Sequence, residues 1–213
     1  MTKPNGKYIV LDGPDGTGKG TQIERLQAKL KSLGREVLVV REPGGTPIGE
    51  EIRNLLKSKE FPRTAETEIF LFSAARAELM REVIEPALQK GTCVISDRSF
   101  ISTIAYQVYG HQRMDLLPMV ADLIKYAVGD RKMDKLIILI ILNIDPEVAL
   151  ERAKGRNAGA GDRFDDMEQG FHERVRQGYL QGAKDYPHEV VDAAGTVEEV
   201  EERIWQKIAL IFA

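Results

Sequence analysis

Five short, nearly unbroken apolar runs constrain this chain more than any other feature: Tyr8-Ile9-Val10-Leu11, Val37-Leu38-Val39-Val40, Cys93-Val94-Ile95, Leu136 to Leu142, and Glu189-Val190-Val191. Apolar runs without polar alternation belong to strands covered on both faces, the condition of a parallel sheet with helical crossovers. Between them, helical periodicity covers about 18–33, 48–58, 65–90, 100–128 with a break, 146–156, 165–185 and 196–212. Asp145-Pro146-Glu147 reads as a helix start, with an N-cap, a first-turn proline and a first-turn acid. The pattern predicts an α/β fold of the doubly wound class with five parallel strands. No internal repeat, charge block or long linker divides the 213 residues, so a single domain over 1–213 is expected.

Composition narrows the partners. Thirty Lys and Arg stand against 33 Asp and Glu, a net charge of −3, so no global basic field exists to hold nucleic acid or an anionic membrane. An anionic ligand has to be caught locally. The apolar run Leu136 to Leu142 is far short of the roughly 20 residues of a membrane helix, so no membrane span is expected. Cys93 is the single cysteine, and Met1 to Gly6 carries no apolar leader; together they predict a reducing, cytoplasmic setting.

The local trap for an anion follows the first strand. Gly13-Pro14-Asp15-Gly16-Thr17-Gly18-Lys19 leads directly into an amphipathic helix marked by Ile23, Leu26, Leu30 and Leu33. Glycines let successive N–H groups turn inward, the helix N-terminus adds partial positive charge, and Lys19 reaches the outer phosphates of a nucleotide. Position 20 is glycine where this motif usually has Ser or Thr to ligate Mg²⁺, and a hydroxyl comes one place later in Thr21. Magnesium held through water by nearby acids is the expectation.

Along 65–90, steps of 100° gather Ile69, Phe70, Phe72, Leu79, Met80, Val83, Ile84 and Leu88 into one apolar arc, with Arg76 at its middle. A guanidinium in a core costs several kcal/mol unless an anion meets it. Either Arg76 pairs with a buried acid, or the helix lines a ligand site in which Phe72 and Arg76 stand one turn apart. The third strand ends in Ser96-Asp97-Arg98-Ser99, at the carboxyl edge where ligands bind in such sheets. There Asp97 is a candidate for a metal shell and Arg98 for a bidentate phosphate contact, against a plain salt bridge between the two. Arg152, Lys154, Arg156 and Arg163 span the glycine-rich stretch 155–162 and predict a cationic flap that closes over phosphates. His111, His172 and His188 have no metal-ligand spacing.

Taken together, these motifs resemble the thymidylate kinases among the nucleoside monophosphate kinases. Four carry the resemblance: Asp12-Gly13-Pro14-Asp15-Gly16-Thr17-Gly18-Lys19, Arg41-Glu42-Pro43-Gly44-Gly45-Thr46, Phe72-Ser73-Ala74-Ala75-Arg76, and Asp97-Arg98 followed by Ser102-Thr103 and Ala105-Tyr106-Gln107. They stand in the family's order across residues 8–210. The resemblance implies a P-loop NTPase three-layer sandwich, a five-stranded parallel sheet flanked by helices, with a mobile lid at about 152–165. It implies phosphoryl transfer from ATP to dTMP, giving dTDP and ADP with Mg²⁺, and a homodimer packed through helices. By the same resemblance Phe72 would stack on thymine, Arg76 would contact a base carbonyl, and Thr103 and Gln107 would border the base. Tyr106 would crowd the sugar 2′ position, Asp15 would bond the 3′-hydroxyl, and Arg98 and Arg53 would hold the acceptor phosphate. Glu42 would join the acceptor and metal shell, and Asp97 would hold Mg²⁺ through water. Gly13, Asp15, Gly16, Gly18, Lys19, Gly20, Thr21 and Arg152 would bind ATP, with Lys19, Arg98, Arg156 and Arg163 acting on the transferring group. Gly16 after Asp15, in place of the arginine one subgroup carries there, points to the subgroup whose lid arginines supply that cation.

Three features depart from the family pattern. Gly20-Thr21-Gln22 is similar to adenylate kinase, which makes another nucleoside monophosphate kinase the alternative enzyme. Met133 replaces a proline common before Asp134, and Asn157 to Gly161 is longer and smaller than the usual lid. A guanine-reading switch is a second alternative, disfavoured because no Asn-Lys-x-Asp motif occurs.

Overall fold

The computed structural model describes residues 6–129, 137–156 and 167–212, with 154–156 described by backbone alone. Strands β1 (Tyr8–Asp12), β2 (Val37–Arg41), β3 (Cys93–Asp97), β4 (Ile137–Asn143) and β5 (His188–Asp192) form one sheet. Its order is β2-β3-β1-β4-β5 and every pairing is parallel. From β1 the chain runs out to the β2 edge, returns to β3, and then crosses β1 to reach β4. The order reverses around β1, which opens a crevice at the carboxyl ends of β1 and β3.

Alternation along β1 divides the core into two layers. Ile9 and Leu11 join Ile23, Leu26 and Leu30 of α1 (Lys19–Ser32) and Val200, Ile204 and Ile208 of α9 (Val197–Phe212). Tyr8 and Val10 face the other way, toward α3 (Ala65–Leu79), α6 (Leu117–Val128) and α8 (Gln169–Gly182). All five residues of β1 are buried, as the unbroken apolar run requires. The remaining helices are α2 (Pro47–Lys57), α4 (Glu85–Lys90), α5 (Phe100–Thr103) and α7 (Pro146–Arg156). Thr46 caps α2, accepting from the Gly49 N–H at 3.0 Å with Pro47 in the first turn, and Thr64 caps α3.

The stretch 65–90 is helical throughout but widens into a π-type turn at Met80–Ile84. Pro86 follows two residues later; its ring and missing N–H disrupt the regular hydrogen-bond ladder, and a wider turn accommodates them. The buried arc is also rotated from the expected one. Glu68 and Phe70 flank Ile69 by one 100° step on either side, and the fold buries Glu68 while leaving Phe70 55% exposed.

After α5 the backbone takes a second π-type turn, Ile104–Gly110, and packs against α8. A Cβ on Gly178 would lie 2.7 Å from Ala105 Cα, and one on Gly182 2.5 Å from Ile104 Cγ2. Contact this close exists only because α8 offers glycine at both positions. It fixes the turn that carries Tyr106 and Gln107.

Candidate active site

The phosphate loop is open toward a ligand. α1 starts from Gly18, at a left-handed φ of 87°, with no side-chain cap and no acid in its first turn. None of the N–H groups of residues 16–18 donates to another described residue, the condition of a helix N-terminus prepared for an anion. Gly16 sits so close to α7 that a Cβ would fall 1.8 Å from the Ala149 carbonyl oxygen. Gly13 begins the loop, and Gly20 opens onto free space with nothing within 4 Å of an added Cβ. Thr21 is exposed on the same turn.

Lys19 is buried, its Nζ donating to the carbonyl oxygens of Gly13 and Pro14 at 2.9 Å each. Burial, and then the Arg98 cation, pull its ammonium down to about 8, with Asp15, Asp97 and Asp12 opposing. A lysine lowered by burial and by a neighbouring cation is stabilised in its charged form by an added anion.

Asp15, Arg98 and Tyr106 form one cluster. Arg98 Nη2 donates to Asp15 Oδ1 at 2.5 Å, Tyr106 Oη donates to Asp15 Oδ2 at 2.9 Å, and the guanidinium lies 5.4 Å from the Tyr106 ring centroid. Desolvation pushes the Asp15 carboxyl up, but Arg98 and Lys19 outweigh it and hold the group well below the usual carboxylate range. Burial and the Asp15 charge push the Tyr106 hydroxyl up, so it stays protonated and donates. Asp97 forms no salt bridge with Arg98; its Oδ1 is buried without a hydrogen-bond partner among the described residues.

A second cluster joins the other motifs. Arg76, 2% exposed, donates through Nε to Glu42 Oε2 at 2.7 Å and through Nη2 to Thr103 Oγ1 at 3.0 Å. The buried acid is thus Glu42, brought there by the Glu-Pro-Gly-Gly turn, whose Glu42 N–H is tied to the Asp97 carbonyl at 3.0 Å. Burial pushes the Glu42 carboxyl up, Arg76 offsetting only part of it. Arg53 Nη1 holds the same turn through the Pro43 carbonyl at 2.8 Å. Phe72 is half-buried one turn before Arg76, and Gln107, fully buried, donates to Glu68 Oε2 at 3.0 Å.

On the far side of the phosphate loop, Gly16, Gly18, Thr21, Gln22, Arg152 and the segment Ala193–Val200 enclose a groove of about 440 Å³. Arg152 Nη1 donates to the Ala193 carbonyl at 3.2 Å, and Gln22 Nε2 to that of Val197 at 2.9 Å. Sequence reasoning missed this wall. Its available signal was the small run Ala193-Ala194-Gly195 directly after β5, at the ligand edge of the sheet. Asp12, Glu68, Ser102 and Tyr179 were also given no role, although their contacts position the residues above. Of the flap, Arg163 and the side chains of Lys154 and Arg156 lie outside the described residues.

Comparison with known proteins decides among nucleotide-binding folds with this loop. The family model described as Thymidylate kinase matches residues 11–204. The chain belongs to the thymidylate kinase family. It is 43% identical over 205 residues to the thymidylate kinase of Syntrophotalea carbinolica, covering 93% of each chain. It is 38% identical over 206 residues to that of Deinococcus radiodurans, covering 96% of this chain and 97% of the other. The thymidylate kinase of Halothermothrix orenii is 40% identical over 204 residues, covering 95% and 96%. Membership replaces the adenylate-like and switch alternatives, and the tripeptide Gly20-Thr21-Gln22 stands within a thymidylate kinase family chain.

Proposed function

We propose that this chain transfers the γ-phosphoryl group of ATP to dTMP, giving dTDP and ADP. The observation that carries this reading is that every motif meets the fourth by a direct hydrogen bond: Asp15 with Arg98 and Tyr106, the Glu42 N–H with the Asp97 carbonyl, and Arg76 with Thr103. Nucleotide phosphates lie on the loop 13–19 and the adenosine end in the groove beside Arg152 and Ala193. The acceptor lies across the loop, with thymine against Phe72, Arg76, Thr103 and Gln107, its sugar between Tyr106 and Asp15, and its phosphate at Arg98 and Arg53.

Phosphoryl transfer asks little covalent chemistry of a protein, and catalysis is positioning plus charge stabilisation. The acceptor is already an anionic phosphate, so no strong base is required. Lys19 and Arg98 supply charge on the two sides of the transferring group, and Arg156 and Arg163 of the lid at about 152–165 add to it. Bound magnesium offsets charge on the phosphate oxygens. The buried, unpartnered Oδ1 of Asp97 suits a water-mediated hold on Mg²⁺, an ion that keeps several waters and uses one or two carboxylates; Glu42 adds a second acid nearby.

A single domain over 1–213 houses both sites. A homodimer is supported by Ile48, Leu55, Phe70 and Tyr126, 39–71% exposed on α2, α3 and α6, of which α3 packs against the other two. A cytoplasmic setting suits the free, buried Cys93 thiol; no helix among the described residues is long and apolar enough to cross a membrane. Phosphorus NMR of the chain with ATP, dTMP and Mg²⁺ tests the reaction: equal growth of ADP and dTDP resonances is expected. ATP loss to ADP and free phosphate, with dTMP intact, contradicts it.

A further inference from the structure

Arg98 is held by two kinds of anchor. Asp15 lies on the phosphate loop, its side chain half exposed. The other anchors are interior: the Gly13 carbonyl at 3.1 Å, the Tyr179 hydroxyl at 2.7 Å and the Ser102 hydroxyl at 3.2 Å. The two hydroxyls are 2.8 Å apart, and Ser102 Oγ donates to Asp12 Oδ1 at 2.7 Å. Asp12 is fully buried and also accepts from the backbone N–H groups of Gly13, at 3.0 Å, and Ser99, at 2.9 Å.

Counting protons fixes the direction of this chain. An ionised carboxylate only accepts, and a serine hydroxyl has one proton. Ser102 gives that proton to Asp12, so Tyr179 donates to Ser102 and its lone pairs face Arg98. Burial and the Asp12 charge push the Tyr179 hydroxyl well up, keeping it a donor. Arg98 needs such support, since its φ of 73° is a conformation that residues with a Cβ hold only when their surroundings over-determine it. The Ser96 hydroxyl bonds the Arg98 carbonyl at 2.8 Å and Asp12 bonds the next N–H, so the same carboxylate secures backbone and guanidinium.

We propose that Asp12, Ser102 and Tyr179 form a one-way hydrogen-bond relay that holds the Arg98 guanidinium in place for the acceptor phosphate when Asp15 turns to the substrate. Tyr179 is a positioning residue, and the inference rests on the reading of Arg98 as a ligand of that phosphate. Tyr179 also stands edge-on to Tyr106, their rings 6.2 Å apart at 89°, so the relay packs against the residue that walls the sugar.

Tyr179→Phe keeps the ring and removes the nearer of the two relay hydroxyls that meet Arg98. The expected result is a fall of about tenfold in kcat/KM for dTMP, the scale of one hydrogen bond to a charged group, with KM for ATP unchanged. Ser102→Ala is expected to act in the same direction. The double variant should be no worse than Ser102→Ala alone, because loss of the Ser102 hydroxyl already cuts Asp12 off from both Tyr179 and Arg98. An unchanged kcat/KM for dTMP in Tyr179→Phe, an equal rise in both KM values, or a double loss equal to the product of the singles overturns the relay. Should Tyr179→Phe fail to fold, Ser102→Ala decides by the same criteria. A wild-type chain inert toward dTMP overturns the reaction itself and the relay with it; an active one with insensitive variants overturns the relay alone.

Discussion

Lys19 is the buried cation of the phosphate loop. It is buried among carbonyl oxygens and beside Arg98, and its ammonium is lowered from 10.5 to about 8. Lys19→Ala is expected to lower kcat by roughly 10²–10³, the scale of losing one preorganised donor; steady-state turnover at saturating substrates checks it. Below about pH 8 the free lysine is charged, and above it neutral, whereas a bound polyphosphate favours the charged form and raises the group again. ATP binding near pH 8 should therefore take up a proton, and affinity should fall as pH rises through that value. Calorimetry in buffers of different ionisation enthalpy reads the uptake; proton release on binding would contradict it. At this scale the sequence made Arg76 legible as an oddity in an apolar arc. Its partner Glu42 was not legible, because the two are 34 positions apart and meet only through the turn after β2. Asp12 and Tyr179 were silent for the same reason: neither a strand-end aspartate nor a helical tyrosine has a local signature that tells support from surface.

Elements were read well where burial is two-sided. Each strand was visible as an apolar run. Strands β1, β3 and β4 are largely buried under helices, as a covered parallel sheet requires. The edge strands β2 and β5 keep their runs although Val39 and Val190 are exposed. The stretch 65–90 was less legible, because Ile69 has two flanking neighbours at equal angular offset and only tertiary packing chooses Glu68 over Phe70. Both π-type turns escaped the periodicity as well. Glycines of α8, by contrast, have a packing reason the sequence could not state: they let Ile104–Gly110 approach. Gly178→Ala would bring a methyl 2.7–2.8 Å from Ala105 Cα and Tyr109 Cβ. Overpacking of this kind costs about 1–3 kcal/mol and should lower Tm by roughly 3–10 °C in a chain of this size. Thermal melts with and without dTMP check it, and an unchanged Tm would mean that α8 packs less tightly than described.

For the whole molecule, the parallel sheet was legible but its order was not, since apolar runs do not say which neighbour each strand takes. The order β2-β3-β1-β4-β5 places the reversal at β1, and so brings Asp12, Asp97 and the loop 13–19 to one crevice. Apolar residues left exposed on α2, α3 and α6 predict a dimer mass in light scattering at working concentration; a clean monomer mass would remove that assignment. Under the proposed function, the wall formed by Phe72, Arg76, Thr103 and Tyr106 selects a thymine deoxynucleotide. The most direct test of that selection is a coupled ADP-release assay with ATP and Mg²⁺, run in parallel against dTMP, dUMP, AMP, CMP and GMP. Dominant turnover of dTMP is the result expected, and turnover of AMP in preference to dTMP, or of none of the five, would contradict it.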